Sequence, residues 1–146
     1  MNTKVVLLVE DNDDDIELTL RSFAKNKLFN KIAVVRNGQE ALDYMFMQGS
    51  YAMRDRGETP ALVLLDLKLP KVDGLEVLHR IRAHPETKCI PVVVLTTSSQ
   101  ANDKFESYNG GANSYIRKPV DFEQFMEVTR QVGIYWLVVN DPPTPL

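Results

Sequence analysis

The stretch Leu62-Val63-Leu64-Leu65-Asp66-Leu67-Lys68-Leu69-Pro70 constrains this chain more than any other. Four apolar residues in a row run into a single carboxylate, and a proline then stops the strand from continuing. A strand that is apolar at every position is covered on both faces, as the strands of parallel sheets are. Open parallel sheets carry their chemistry just beyond the carboxyl ends of their strands. Asp66 falls at such an end. The sequence on either side must supply further strands, helices to cover them, and any polar groups that gather beside Asp66.

It supplies all three. Lys4 to Val9 reads as a first strand, and the acid-rich run Glu10 to Asp15 then gives helix-start chemistry. Ile16, Leu20, Phe23 and Ala24 follow at helical spacing. Ile32 to Val35 is a second strand, and Asn37-Gly38 turns into a helix with Ala41, Leu42, Met45 and Phe46 on one face. Gln48 to Thr59 is polar and reads as a long loop with a little order around Tyr51 and Met53. After the central strand, Asp73-Gly74 opens a helix with Leu75, Leu78 and Ile81 inward, ended by His84-Pro85. Val92 to Leu95 is a fourth strand that runs into the hydroxyl cluster Thr96 to Ser99.

Gln100 to Asn109 is a thinly apolar helix with Ala101, Phe105 and Tyr108 expected inward, closed by Gly110-Gly111. Ser114 to Arg117 is a short fifth strand ended by Lys118-Pro119. Asp121 and Gln124 resemble a capping box for a last helix, with Phe122, Phe125, Met126, Thr129 and Val132 expected inward. Five strands alternating with five helices predict an α/β fold, a doubly wound five-stranded parallel sheet of the flavodoxin-like kind.

At 146 residues, 44% hydrophobic and 25% charged, the chain is long enough for one globular domain with its own core. A net charge of -3 gives no bulk attraction to nucleic acid or to an anionic membrane. The single cysteine, Cys89, leaves no internal disulfide and points to a reducing compartment. The N-terminal apolar run is too short for a secretory signal or a membrane span. A cytoplasmic protein without a direct nucleic-acid or membrane partner is the expectation.

The polar groups at the strand ends form a set. Glu10 and Asp11 follow the first strand, Asp66 the third, Thr96 the fourth and Lys118 the fifth. Singly, each has an ordinary role in a turn or cap. Together they place three carboxylates that repel one another unless a cation sits among them. All-oxygen ligands with room for water suit magnesium. The lysine and the threonine hydroxyl match what a phosphoryl group on Asp66 requires for charge and hydrogen-bond compensation.

The segments Leu7-Leu8-Val9-Glu10-Asp11, Leu64 to Pro70 with Asp73-Gly74, Val94-Leu95-Thr96-Thr97 and Ser114 to Pro119 resemble the receiver domain of two-component response regulators. The resemblance spans residues 4 to 132. It implies that Asp66 is the phosphoacceptor for a partner histidine kinase. Asp11, Asp66 and the backbone carbonyl of Lys68 bind magnesium, with Glu10 acting through water. Lys118 pairs with the phosphoryl oxygens, and the Lys118-Pro119 bond that follows it is cis. As the switch, Thr96 moves to the phosphoryl group and Tyr115 then turns inward. Such a domain is no enzyme beyond catalysing its own phosphoryl transfer and loss.

The domain boundaries expected are 1–132 for the receiver and 133–146 for an apolar and Pro-rich extension. Ile134 to Val139 are six consecutive large apolar residues, more than one helix face buries. They can pack back onto the core or form a homodimer contact, the reading favoured here for Tyr135, Trp136, Leu137 and Val138. The extension and the long loop resemble single-domain regulators that partner phytochrome kinases, several of which dimerise through this end. No helix-turn-helix or basic patch follows, so the expectation is output through a partner protein, or a relay or sink for phosphoryl groups.

Four rival readings fare worse. A dehalogenase-type phosphatase wants a second acid two residues after Asp66, where Lys68 stands. A calcium loop starting at Asp11 wants Gly and Glu where Ile16 and Ser22 stand. His79, His84 and Cys89 are not spaced as a zinc or catalytic set. A receiver-like interaction module that is never phosphorylated is the alternative, and it is expected to lack a pocket residue; none is missing.

Overall fold

The computed structural model describes residues 4–143. Its strands are β1 (Val5–Val9), β2 (Lys31–Val35), β3 (Pro60–Leu65), β4 (Val92–Thr96) and β5 (Ser114–Arg117). They alternate with α1 (Asp13–Lys25), α2 (Gly38–Met45), α3 (Gly74–Ala83), α4 (Ala101–Asn109) and α5 (Phe122–Ile134). All strand pairs are parallel, in the order β2-β1-β3-β4-β5. This is the doubly wound sheet expected.

Alternation along each strand divides the core. Leu7, Val9, Val63, Leu65, Val92 and Val94 face α2 and α3. Val6, Leu8, Leu62, Leu64 and Val93 face α1 and the C-terminal segment. Side-chain oxygens of Asn12, Asn37, Asp73 and Asp121 accept backbone N–H groups at the starts of α1, α2, α3 and α5, which fixes where each loop ends.

Three helix faces differ from the expectation. On α4, Asp103 and Ser107 are buried while Phe105 and Tyr108 point outward. Polar groups occupy the buried face instead: Asp103 accepts from Ser98 Oγ at 2.6 Å, and Ser107 Oγ is satisfied within the helix by Asp103 O at 2.8 Å. On α1, Leu20 and Ala24 are exposed, and Thr19 and Ser22 are buried in their place. Ser22 Oγ donates to Met126 O, tying α1 to α5. On α5, Phe122 is exposed and Met126 only half-buried.

The long loop carries two short 3-10 turns, Gly49–Tyr51 and Arg56–Glu58. Tyr51 packs edge-on against Tyr44, whereas Met53 is fully exposed. After α5 the chain continues as a wider π-type turn, Tyr135–Val139. Leu137 is buried and Trp136 half-buried against the α1 side of the core. Leu137 is thus spent on its own protomer and corrects the expectation of an interface residue; its carbonyl also accepts from Lys4 Nζ. Tyr135, Val138 and Val139 face outward. Residues 144–146 of the expected extension lie outside the described residues.

The described residues contain no cis peptide bond, so Lys118-Pro119 is trans, contrary to the resemblance. Trans is the intrinsically preferred form by about 0.5–1 kcal/mol, and Lys118 reaches its partners from it. No helix among the described residues is long and apolar enough to cross a membrane.

Gly74 links fold to site. A Cβ there would lie 2.4 Å from the carbonyl oxygen of Asp66 and 2.6 Å from Leu67 Cα. Both neighbours are backbone and cannot swing aside. Gly74→Ala is expected to lower the unfolding free energy by about 1–3 kcal/mol in a urea titration. An unchanged midpoint would contradict this close approach.

Candidate functional site

The strand order decides what meets at the sheet's carboxyl edge. From β1 the chain passes by way of α1 to β2 on one side, then returns to β3 on the other. A crevice opens at this reversal. Asp66 N donates to Val9 O at 3.1 Å, which holds the end of β3 against that of β1. On the far side, Lys118 N donates to Thr96 O at 2.7 Å and brings the end of β5 to β4. Glu10, Asp66, Thr96 and Lys118 are all buried, and Asp11 is exposed.

Lys118 is the hub. Its Nζ donates to Glu10 Oε1 at 2.6 Å, Asp15 Oδ2 at 2.8 Å and Asp66 Oδ2 at 3.0 Å. The structure therefore brings together Glu10, Asp66 and Lys118 as the sequence suggested, and adds Asp15. That residue reads in the sequence as one more acid in a helix's first turn. Nothing in its spacing distinguishes it from Asp13 or Asp14, because the distinction is three-dimensional.

Burial pushes the Glu10 carboxyl up from 4.5 to about 7, and the nearby Asp66 charge adds to this against the pull of Lys118. Burial works against the Lys118 ammonium, yet hydrogen bonds to Asp15 and Glu10 and the Asp66 charge outweigh it and raise its pKa. Carboxylate oxygens of Glu10, Asp11 and Asp66 also lie within 4.8 Å of one another. Three hard oxygen donors at that spacing fit a divalent cation of the magnesium or manganese type.

The rim is a polar chain. Asp66 Oδ1 accepts from Lys68 N at 3.3 Å, and the Lys68 side chain reaches outward to Asp103 Oδ2, also at 3.3 Å. Thr96 Oγ1 accepts from Ser98 N at 3.3 Å. Tyr115 is half-buried and already turned inward, its hydroxyl donating to Ser98 O at 2.9 Å. The resemblance had made that turn a consequence of phosphorylation; here Ser98 O gives the hydroxyl an inward partner. A cleft of about 430 Å³, bordered by Asp11, Lys68, Asp73 and Asp103, opens beside Asp66.

The sequence profile of the response regulator receiver domain matches residues 6–130. The chain is 40% identical over 141 residues to a protein of Methanothrix harundinacea (strain 6Ac) described as probable methanogenesis regulatory protein FilR2, covering 97% of this chain and 88% of that one. Among solved structures, the phosphorylated cyanobacterial phytochrome response regulator RcpA superposes with a TM-score of 0.90 at 40% identity, covering 97% and 99% of the two chains. The manganese-bound form of response regulator Rcp1, a Synechocystis protein, superposes with a TM-score of 0.89 at 36% identity over the same shares.

The Glu10 carboxyl binds its proton more tightly in the folded chain than in the unfolded one. Its contribution to stability is therefore full below about pH 4.5 and lost as pH rises through about 7. Glu10→Gln imitates the protonated form. In chelator, its melting temperature is expected to exceed the parent's near pH 8 and to match it near pH 4. A variant with no gain at the higher pH would contradict the burial argument.

Proposed function

The chain belongs to the response regulator receiver domain family, and from that premise we propose that it accepts a phosphoryl group on Asp66 from a sensor histidine kinase of the phytochrome type. The observation that carries this reading is the Lys118 ammonium bonded to Glu10, Asp15 and Asp66 at the carboxyl edge of the sheet. Receiver domains are not enzymes in the usual sense, since they catalyse only their own phosphoryl transfer and loss.

An Asp66 carboxylate oxygen bonds to phosphorus as the P–N bond to the kinase histidine breaks, and the electron pair returns to the imidazole. Such transfer depends on positioning and charge stabilisation. Lys118 stands on the inner side of Asp66 and supplies a fixed positive charge for the phosphoryl oxygens, exchanging carboxylate partners for them. Magnesium, when bound, supplies further neutralisation of those oxygens; Glu10, Asp11, Asp66 and the Lys68 carbonyl would hold it. Thr96 offers a hydroxyl from the end of β4. Its engagement releases Ser98 N and so reaches Tyr115, whose hydroxyl holds Ser98 O.

The partner class rests on likeness to RcpA and on the shared length of the two chains. The Methanothrix relative carries a methanogenesis description, so light-dependent transfer is the discriminating observation. The C-terminal segment serves as a homodimer contact in this reading, supported by the outward Tyr135, Val138 and Val139. Half-covered Trp136 joins them at the edge of the patch.

Incubation with acetyl phosphate is expected to give one phosphoryl adduct by intact mass, dependent on magnesium and absent from Asp66→Asn. No adduct under any condition would return the chain to the interaction-module reading. For the assembly, light scattering of the parent is expected to give a dimer mass, and Tyr135→Ser with Val138→Ser a monomer. A parent that is monomeric both before and after phosphorylation would remove the dimer.

A further inference from the structure

The inner face of α4 presents a carboxylate where an apolar residue was expected. Asp103 is buried, with 7% of its surface exposed, and it faces the rim of the Asp66 pocket. It accepts the Ser98 hydroxyl at 2.6 Å and pairs with the Lys68 ammonium at 3.3 Å. The Ser98 hydrogen bond, with Lys68 second, holds its carboxyl below the usual Asp range. It is therefore charged at neutral pH. The pair is unequal in setting: the Lys68 side chain is 63% exposed, so its ammonium can leave, whereas Asp103 is fixed.

Lys68 has two possible anions. Its backbone N–H already bonds Asp66, so its side chain originates at the mouth of the pocket. A lysine stem is flexible and its ammonium is a point charge that serves carboxylate or phosphate alike. A phosphoryl group on Asp66 brings about two negative charges to that mouth. Asp103 then competes with it for one ammonium across the open cleft.

We propose that Asp103 is a positioning residue for the phosphoryl pocket, drawing Lys68 toward α4 and away from the mouth, so that it sets how long Asp66 stays phosphorylated. The proposal rests on the phosphoacceptor reading of Asp66. Loss of the phosphoryl group requires water to reach phosphorus. The water oxygen bonds to phosphorus as the P–O bond to Asp66 breaks. The electron pair stays on the Asp66 carboxylate, and inorganic phosphate leaves with the water's oxygen and protons. With Lys68 held by Asp103, both side chains border a cleft of about 430 Å³ that starts at Leu67, next to Asp66, and has room for water. With Lys68 released onto the phosphoryl oxygens the approach is crowded. The same exchange frees Asp103 from one of its two anchors, and α4 has few apolar contacts to replace it.

The test is the half-life of the phosphorylated chain after acetyl phosphate is removed, followed by intact mass for the parent, Asp103→Asn, Lys68→Met and the double variant. Asp103→Asn keeps an acceptor for Ser98 and removes only the charge. Its half-life is expected to be about two- to fivefold longer, the size of a partly exposed ion pair. In the Lys68→Met background the same change is expected to have no effect. Lys68 is exposed, so this arm remains readable even if Asp103→Asn proves poorly folded: Lys68→Met alone is expected to shorten or leave unchanged the parent's half-life. A longer half-life in Lys68→Met, an Asp103→Asn half-life equal to the parent's, or an equal effect of Asp103→Asn in both backgrounds would overturn the proposal. A parent that takes no phosphoryl group removes the reading beneath it as well, which separates the two failures.

Discussion

The structure depends on how one buried ammonium is shared among acids. Glu10 and Asp66 are brought together by strand pairing, and their charges repel in a medium that screens poorly. Lys118 answers that repulsion from the end of β5, and Asp15 completes its coordination from the first turn of α1. Three stretches far apart in sequence thus meet at one charge. Removing any acid changes the balance felt by the others, and removing the lysine leaves carboxylates buried without compensation. Among the described residues no buried side-chain nitrogen or oxygen lacks a hydrogen-bond partner. The pocket is complete as an electrostatic unit, and its spare acid capacity suits a divalent cation.

That unit was largely legible in the sequence, because strand ends are. An apolar run long enough to be a strand fixes where its carboxyl end falls, and Glu10, Asp66, Thr96 and Lys118 each sit one step beyond or at such an end. Parallel strands then carry all four to the same edge. Asp15 was not legible, since a helix's first turn offers three successive acids and only the direction of the helix axis selects among them. Asp103 and Ser107 were missed for a different reason. Helical periodicity assumes that the buried face is the apolar one, and on α4 hydrogen bonds to Ser98 and within the helix reverse that. The same competition buries Ser22 and leaves Leu20 exposed on α1.

The reversal on α4 has consequences for motion. Helices α1 and α5 are clamped by Phe23, Val132 and Leu137 in a continuous apolar layer. By contrast α4 is tied to its neighbours by polar contacts, Asp103 accepting from Ser98 Oγ and the Tyr108 hydroxyl from Tyr115 N, with Phe105 left in solvent. Polar contacts can be exchanged for others of equal worth at small net cost, whereas apolar burial cannot. The helix with the fewest apolar anchors therefore lies next to the Asp66 pocket and shares Ser98 with Tyr115. A local change of charge at Asp66 has a short, named route to an exposed aromatic surface.

In the proposed transfer the carboxylate at the end of β3, and not its neighbours Glu10 or Asp11, is the group that Lys118 serves. Borohydride reduction of the phosphorylated chain converts an acyl phosphate to an alcohol, and peptide sequencing by mass spectrometry then locates it. Homoserine is expected at position 66, with unmodified acids at positions 10 and 11. Reduction at either neighbouring acid, with Asp66 intact, would contradict it.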